Sequence, residues 1–219
     1  MLDSIISLFA PHSCLGCNTE GYVLCDDCSQ GLPTWPSVCY RCGAATENGE
    51  TCALCHRRSP LAAIHVLTHY EGLAKDVVWR LKFAGAQAAA KDMTRLLTKR
   101  LALPTGSYVV YVPTASSHVR VRGYDQARLL ARQIGRQTGA QQLPCLVRLG
   151  QARQVGSNRN QRVAQVADAF RLAAGYDVKG ISILLVDDVL TTGATLESAA
   201  RLLKKAGAAR VEAVVFSRA

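Results

Sequence analysis

The chain lacks any apolar run approaching the roughly 18 to 20 residues of a membrane-spanning helix, so no span is expected. Its first ten residues, MLDSIISLFA, carry Asp3 where a secretory leader would carry Lys or Arg. Their short apolar part reads as an amphipathic helix, and a cytoplasmic location follows as the expectation. Two familiar phosphate-binding patterns are missing: there is no GxxxxGK[ST] for a nucleoside triphosphate and no GxGxxG for a dinucleotide. Aromatic residues are only 6% of the chain, which leaves few platforms for stacked bases. Trp35, Tyr40, Trp79 and Tyr124 are the candidates, and packing is the commoner role for such residues. Low-complexity tracts are absent too, so disorder does not dominate.

What is present fits one α/β domain plus a small module: 219 residues, 49% hydrophobic and 19% charged, enough for a sizeable core. The net charge of +10 is uneven. Residues 1–60 hold 3 Lys/Arg against 6 Asp/Glu, leaving 23 against 10 for the rest. Within residues 120–171 there are ten Arg, no Lys and only Asp125 and Asp168 as acids. Planar guanidinium groups suit bidentate contacts to phosphate or carboxylate, although a solvated basic face has the same composition.

Eight of the nine cysteines form four CxxC pairs: Cys14/Cys17, Cys25/Cys28, Cys39/Cys42 and Cys52/Cys55. A two-residue gap lets both thiolates of a tight knuckle face one tetrahedral ion, and two knuckles close an S₄ shell. Two structural zinc sites are therefore expected. Sequential pairing makes two short zinc ribbons, and a cross-brace is the alternative; a disulfide framework suits a secreted chain better. Cys145, beside Pro144 and an apolar pair, reads as a core residue.

From about residue 61 the pattern alternates between strands and helices. AAIHVLTHY reads as a strand and LAKDVVWRLKFAG as a helix with Leu73, Val77, Val78 and Leu81 on one stripe. AAAKDMTRLLTKRLAL is a second helix. YVVYVP is a strand, followed by a loop and the helix YDQARLLARQIGRQTG, closed by Gly139. CLVRL, DAFRLA, ISILLVD and VEAVVFSR are further strands, with a helix over about 194–206 between the last two. Residues 149–162, polar and rich in Gly, Asn and Arg, read as a long mobile loop. Such alternation predicts a mostly parallel sheet flanked by helices, with ligands at the carboxyl ends of its strands.

One strand, ISILLV, is expected to end at two adjacent carboxylates, Asp187 and Asp188. Like charges side by side disfavour burial, so the pair should meet a ligand, a cation or water. The following VLTTGAT turns into a helix whose free N–H groups and dipole favour an anion. Thr191, Thr192 and Thr195 add hydroxyls and Gly193 permits close approach. A phosphate fits this turn, and the carboxylates suit vicinal sugar hydroxyls with help from hydrated Mg²⁺. The ligand expected from these residues is a sugar phosphate.

LLVDDVLTTGAT resembles the phosphoribosyl pyrophosphate (PRPP) signature of type I phosphoribosyltransferases. That resemblance implies that Asp187 and Asp188 hold the ribose 2′ and 3′ hydroxyls. It also implies that Thr191, Thr192, Gly193, Ala194 and Thr195 hold the 5′-phosphate. The order of blocks narrows the likeness: four CxxC pairs, then YEG…LKFAG (70–85), RGYDQARLLA (122–131), QVGSNRNQR (154–162) and AF (169–170), then the signature. Over nearly the whole chain this resembles the ComF family of competence proteins, the ComFC and GntX-like group. By that resemblance residues 1–60 are an N-terminal helix and double zinc ribbon, and residues 61–219 a phosphoribosyltransferase-like domain. Ser116, Ser117, Arg120 and Arg122, after YVVYVP, are the implied pyrophosphate contacts; Arg159 and Arg162 belong to the implied lid. The chain departs from the family pattern at VPTA (112–115), where PVP plus an apolar residue is usual, and at Gln165, where Asn is usual. The implied role is cytoplasmic: binding Mg²⁺ and PRPP while handling incoming single-stranded DNA in natural transformation, alongside competence helicase-type proteins. Two rival readings are an active phosphoribosyltransferase with an unidentified acceptor and a non-catalytic PRPP sensor.

Overall fold

The computed structural model describes residues 12–101, 104–149 and 169–219. The expected N-terminal helix and the expected lid over 154–162, with Arg159, Arg162 and the nearby Gln165, lie outside the described residues.

Two single-turn helices, α1 (Asp26–Gln30) and α2 (Ala53–His56), belong to the cysteine module. The alternating part follows as β1 (Ile64–His69), α3 (Gly72–Phe83), α4 (Ala86–Arg100), β2 (Tyr108–Tyr111), α5 (Ser116–Arg122) and α6 (Gln126–Thr138). It continues with β3 (Leu146–Arg148), β4 (Phe170–Leu172), β5 (Ser182–Leu190), α7 (Ala194–Lys205) and β6 (Arg210–Arg218). Four strands form one sheet in the order β1-β6-β5-β2, every pair parallel. The near-continuous apolar runs of β5 and β6 are what a strand covered on both faces requires.

Alternation along the strands sorts the core into two layers. On one face Leu184, Val186, Val214 and Phe216 pack against Val77, Val78 and Leu81 of α3, Met93 and Leu97 of α4, and Leu130 and Ile134 of α6. On the other face Ile183, Leu185, Ala213 and Val215 meet Leu196, Ala199 and Leu203 of α7. The expected stripe on α3 is present, with Ala74 fully buried and Leu73 only partly so.

Three expectations change. CLVRL and DAFRLA do not join the main sheet: β3 and β4 pair antiparallel with each other, and Cys145, Leu146 and Phe170 cover the α7 face. The stretch after β2 is the helix α5 rather than a loop, bounded by Pro113 and by Gly123 at φ +78°. Its serines and arginines carry no apolar period to reveal it. Finally, β5 does not stop at the carboxylates. It runs through Asp187 and Asp188 to Leu190, held by pairing of Val189 with Ser217 and Leu190 with Arg218 on β6.

Candidate functional site

All four parallel strands deliver their carboxyl ends to one edge, and the acidic pair of β5 lies there between β6 and β2. Strand pleating points neighbouring side chains to opposite faces. Asp188 shares the parity of Leu184 and Val186 and is buried at 4% exposure, with Lys82 Nζ of α3 at 2.6 Å from its Oδ2. That ion pair is the only partner of Oδ2 among the described residues. Asp187 takes the other parity, keeps part of its surface exposed, and accepts the backbone N–H of Asp188 at 2.9 Å. Burial first, and then the adjacent Asp188 charge, push the Asp187 carboxyl well above the usual carboxylate range. Among the described residues, Lys82 is the one cation paired with these two carboxylates. Beyond the pair the sides exchange, with Val189 packing on the α3 face and Leu190 on the α7 face.

The turn that follows is built to expose backbone donors. Thr191, Thr192 and Ala194 are exposed, Thr195 is half-buried, and Gly193 is buried at φ +81° as the residue before α7. A Cβ there would meet only ordinary contacts from Leu190 and Tyr40, so the left-handed backbone, not crowding, is what calls for glycine. Gly193, at the N-cap of α7, offers no side chain, and Thr192 Oγ1 accepts from the Ala194 N–H at 3.4 Å. The 12-residue helix thus presents N–H groups and the positive end of its dipole at the sheet edge.

Across the sheet edge, Asp125 caps α6 through the N–H groups of Ala127 and Arg128. It also accepts from Thr114 N at 2.9 Å and Thr114 Oγ1 at 3.1 Å, fixing the path after β2. Ser116, Ser117 and Arg120 on α5 are exposed, and Arg122 donates to Gln126 at 2.9 Å. An open cleft of about 410 Å³ runs beside β2 and is lined by Thr114, Ser116, Arg120 and Arg148 among others. It contains two of the four residues expected there, Ser116 and Arg120; Ser117 and Arg122 are not in its lining. Another cavity, of about 370 Å³, opens near the start of β2 around Tyr108, Val109, Ile134 and Leu184. It lies at the opposite end of the strands and has no charged lining residue, so it is set apart from this chemistry.

The cysteines gather sequentially, as Cys14, Cys17, Cys25 and Cys28 in one cluster and Cys39, Cys42, Cys52 and Cys55 in the other. Within each, the four sulfurs lie within 4.8 Å of one another. Cys17 Sγ to Cys25 Sγ and Cys42 Sγ to Cys52 Sγ are both 3.6 Å. A tetrahedron with zinc–sulfur bonds of about 2.3 Å has edges of about 3.8 Å, whereas a disulfide needs about 2.05 Å. The donor set therefore fits two Cys₄ zinc sites. Burial raises the Cys14 and Cys39 thiols, but backbone N–H donors outweigh it and bring each down to about 6, so each offers a thiolate at neutral pH. Gly16 is required by space: a Cβ there would lie 2.6 Å from Cys28 Sγ. Cys145 is fully buried, as expected.

Comparison with known proteins agrees with both halves. A phosphoribosyl transferase domain matches residues 120–219, and a double zinc ribbon domain matches residues 5–56. Competence protein F of Haemophilus influenzae is 27% identical over 229 residues, covering 96% of this chain and 99% of that protein. Competence protein ComFC of Bacillus subtilis is 27% identical, covering 90% of this chain and 94% of its own length. The DNA utilization protein YhgH of Escherichia coli K12 is 29% identical, with 86% and 87% covered. Fold and cysteine clusters together define a phosphoribosyltransferase-type α/β protein with an N-terminal double zinc ribbon. Within that class, the similarity to competence protein F and ComFC over most of the chain, together with the two domain matches, supports the ComF family. No helix among the described residues is long and apolar enough to cross a membrane.

Two residues at this edge escaped the sequence reading. Lys82 sits in the YEG…LKFAG block but carried no assigned role, and Tyr40 was only a packing or stacking candidate. Tyr40 lies between the ligands Cys39 and Cys42, is 7% exposed, and donates to Glu197 Oε1 of α7 at 2.7 Å. Burial raises its phenol, which stays a donor at neutral pH. A CxxC knuckle with a tyrosine inside was the available signal; its partner, 157 residues away, was not visible.

Proposed function

We propose that this protein binds PRPP at the carboxyl end of β5 and handles single-stranded DNA during natural transformation, in the cytoplasm. The observation that carries the reading is the juxtaposition of Asp187 and Asp188 with the Gly193 turn and the start of α7. Vicinal ribose hydroxyls donate to the carboxylates, and the 5′-phosphate takes the N–H groups and hydroxyls of Thr191, Thr192, Gly193, Ala194 and Thr195. Ser116, Ser117, Arg120 and Arg122 serve the pyrophosphate, which brings Mg²⁺ with it; Arg159 and Arg162 close over the ligand. Zinc in the two Cys₄ sites is structural.

An exposed stripe on α3 supports the DNA part. Lys75, Trp79 and Phe83 recur every fourth residue, with Trp79 and Phe83 at 53% and 56% exposure and their ring centroids 5.6 Å apart. Arg122 lies 5.2 Å over the Phe83 ring. Exposed aromatic faces beside cations suit bases and phosphates of a single strand without sequence preference. The relatives' names, competence and DNA utilization proteins, point the same way. Competence helicase-type proteins are the partners this role implies.

A second reading is an active phosphoribosyltransferase, and the 410 Å³ cleft beside the site favours it because an acceptor needs room there. The test is calorimetric titration of zinc-loaded protein with Mg²⁺ and PRPP, with and without a single-stranded oligonucleotide, while released pyrophosphate is assayed. Saturable binding without release supports the first reading. Steady release on adding a base or the oligonucleotide makes the protein a transferase, and no PRPP uptake at all sinks the site. Loss of oligonucleotide affinity of about tenfold in Trp79→Ala is expected, since stacking contributes roughly 1–3 kcal/mol per base; unchanged affinity removes α3 from the DNA path.

A further inference from the structure

Only two residues separate the metal ligands Cys39 and Cys42, and both reach the phosphate turn. Tyr40 donates to Glu197 Oε1 and lies 2.7 Å from Ser59 Oγ, while its ring stands 3.6 Å from the point where a Cβ on Gly193 would sit. Arg41 Nη1 is 3.5 Å from the same Glu197 oxygen and donates to the Arg58 carbonyl at 2.6 Å. Arg218, at the end of β6, donates to the Tyr40 carbonyl at 3.1 Å. The knuckle thus joins the second cysteine cluster to the sheet edge.

Glu197 gives this contact its meaning. It lies in the first turn of α7, where a negative charge steadies an empty helix but opposes an incoming phosphate. Tyr40, Arg41 and, at 3.7 Å, Arg201 hold that carboxylate and offset its charge. Two of these three partners sit inside a CxxC knuckle, and a Cys₄ knuckle depends on its ion for its fold. Without the ion, Glu197 loses its O–H donor and one cation, and Gly193 loses the ring behind it.

Resting on the PRPP reading above, we propose that Tyr40 and Arg41 are positioning residues for the phosphate turn, which is competent for PRPP only while the second cluster holds its metal. Metal and ligand are then thermodynamically coupled, so each must tighten the other.

The experiment uses the zinc-loaded full chain and the variants Tyr40→Phe, Tyr40→Ala and Cys42→Ser, with Asp92→Ala as a comparator that loosens the first ribbon only. Amide hydrogen exchange over residues 191–197, Mg²⁺–PRPP affinity, and zinc retention against a chelator are measured. Tyr40→Phe keeps the ring and loses the O–H, so PRPP weakens about threefold; Tyr40→Ala weakens it about tenfold, the range a lost hydrogen bond plus packing spans. Both Tyr40→Ala and Cys42→Ser speed exchange in the turn, whereas Asp92→Ala leaves turn and affinity unchanged. PRPP slows release of half the zinc. If Cys42→Ser does not fold, the Tyr40 variants decide, since Tyr40 is no metal ligand. Unchanged exchange and affinity in Tyr40→Ala, or equal protection of all the zinc, overturns the proposal. A wild type that takes no PRPP overturns the reading of the site instead, and exchange in the turn still decides whether the knuckle positions it.

Discussion

The two ribbons share one metal chemistry and dock in opposite ways. The first inserts Val23, Leu24 and Leu32 into the core layer of α3, α4 and α6, far from the phosphate turn in the fold's layering. Its backbone is gripped by α4: buried Asp92 accepts the N–H groups of Val23 and Leu24 at 2.7 and 3.1 Å, and Arg95 donates to the Leu24 carbonyl at 2.9 Å. Arg95 and Lys99 also pair with Asp26. The second ribbon packs Tyr40 into the other layer and lies along the edge strand β1. There Trp35 N donates to the Leu67 carbonyl at 3.1 Å and Thr51 N to the Ala62 carbonyl at 2.8 Å, which covers an otherwise open edge. Two small modules of the same metal chemistry thus serve as one foundation and one wall of the candidate site. The same lost ion should cost stability in one place and ligand affinity in the other.

The largest effect separates them at the level of metal. The folded protein is expected to hold two zincs per chain, and each Cys₄ ion feeds on the order of 10 kcal/mol of binding free energy into its ribbon. Cys14→Ser should therefore release one zinc and lower the unfolding midpoint steeply, because Val23, Leu24 and Leu32 leave the core with it. Zinc analysis with denaturant unfolding checks this, and a metal-free chain of unchanged midpoint would refute both Cys₄ assignments.

Next in size is the grip itself. Asp92→Ala leaves two buried N–H groups without an acceptor, at about 1–3 kcal/mol each, so a loss of about 3 kcal/mol is expected with both zincs retained. A loss within 0.5 kcal/mol, roughly the scale of a surface substitution, would mean that the ribbon is held by its apolar residues alone.

A smaller effect probes the face of the site opposite the second ribbon. Lys82→Met removes the cation beside buried Asp188; with Lys82 itself 22% exposed, the cost should fall below that of a fully buried pair, at about 2 kcal/mol. Urea unfolding of the ligand-free protein measures it. A more stable variant would show that water already satisfies Asp188.

These contacts mark where the sequence stops being informative. The cysteine clusters were legible because their ligands are local: CxxC knuckles seven and nine residues apart need no knowledge of the rest of the fold. The apolar periods of α3, α4, α6, β5 and β6 were legible for the same reason. The continuation of β5 through Asp187 and Asp188 was hidden, since adjacent carboxylates disfavour a strand and only the pairing with β6 enforces it. The partnership of β3 and β4 was hidden because pairing is non-local, and α5 because it has no buried face of its own. Lys82 with Asp188 and Tyr40 with Glu197 join residues of distant segments, which no window along the chain can bring together.

The least costly substitution bears on the acidic pair itself. Burial and then the Asp188 charge raise the Asp187 carboxyl, so the folded state holds its proton more tightly than the unfolded chain does. The sign follows from linkage. The stabilisation from this group is complete below the ordinary carboxylate value of about 4 and is lost as pH rises through the raised value. Asp187→Asn does not titrate and keeps the shape, so the variant should gain on the wild type as pH increases, with the gap widening from the ordinary carboxylate value of about 4 up through the raised one. On the PRPP reading proposed above, the same change removes an acceptor for a ribose hydroxyl and should abolish PRPP uptake. Ligand-free unfolding at several pH values, paired with one titration, reads both effects. Greater stability with lost binding identifies strain kept for a ligand, as opposed to the Asp92 grip, where removing a carboxylate should only weaken the fold. A gap that stays constant with pH would mean that Asp187 is already solvated, and the two regions would then differ in position but not in design.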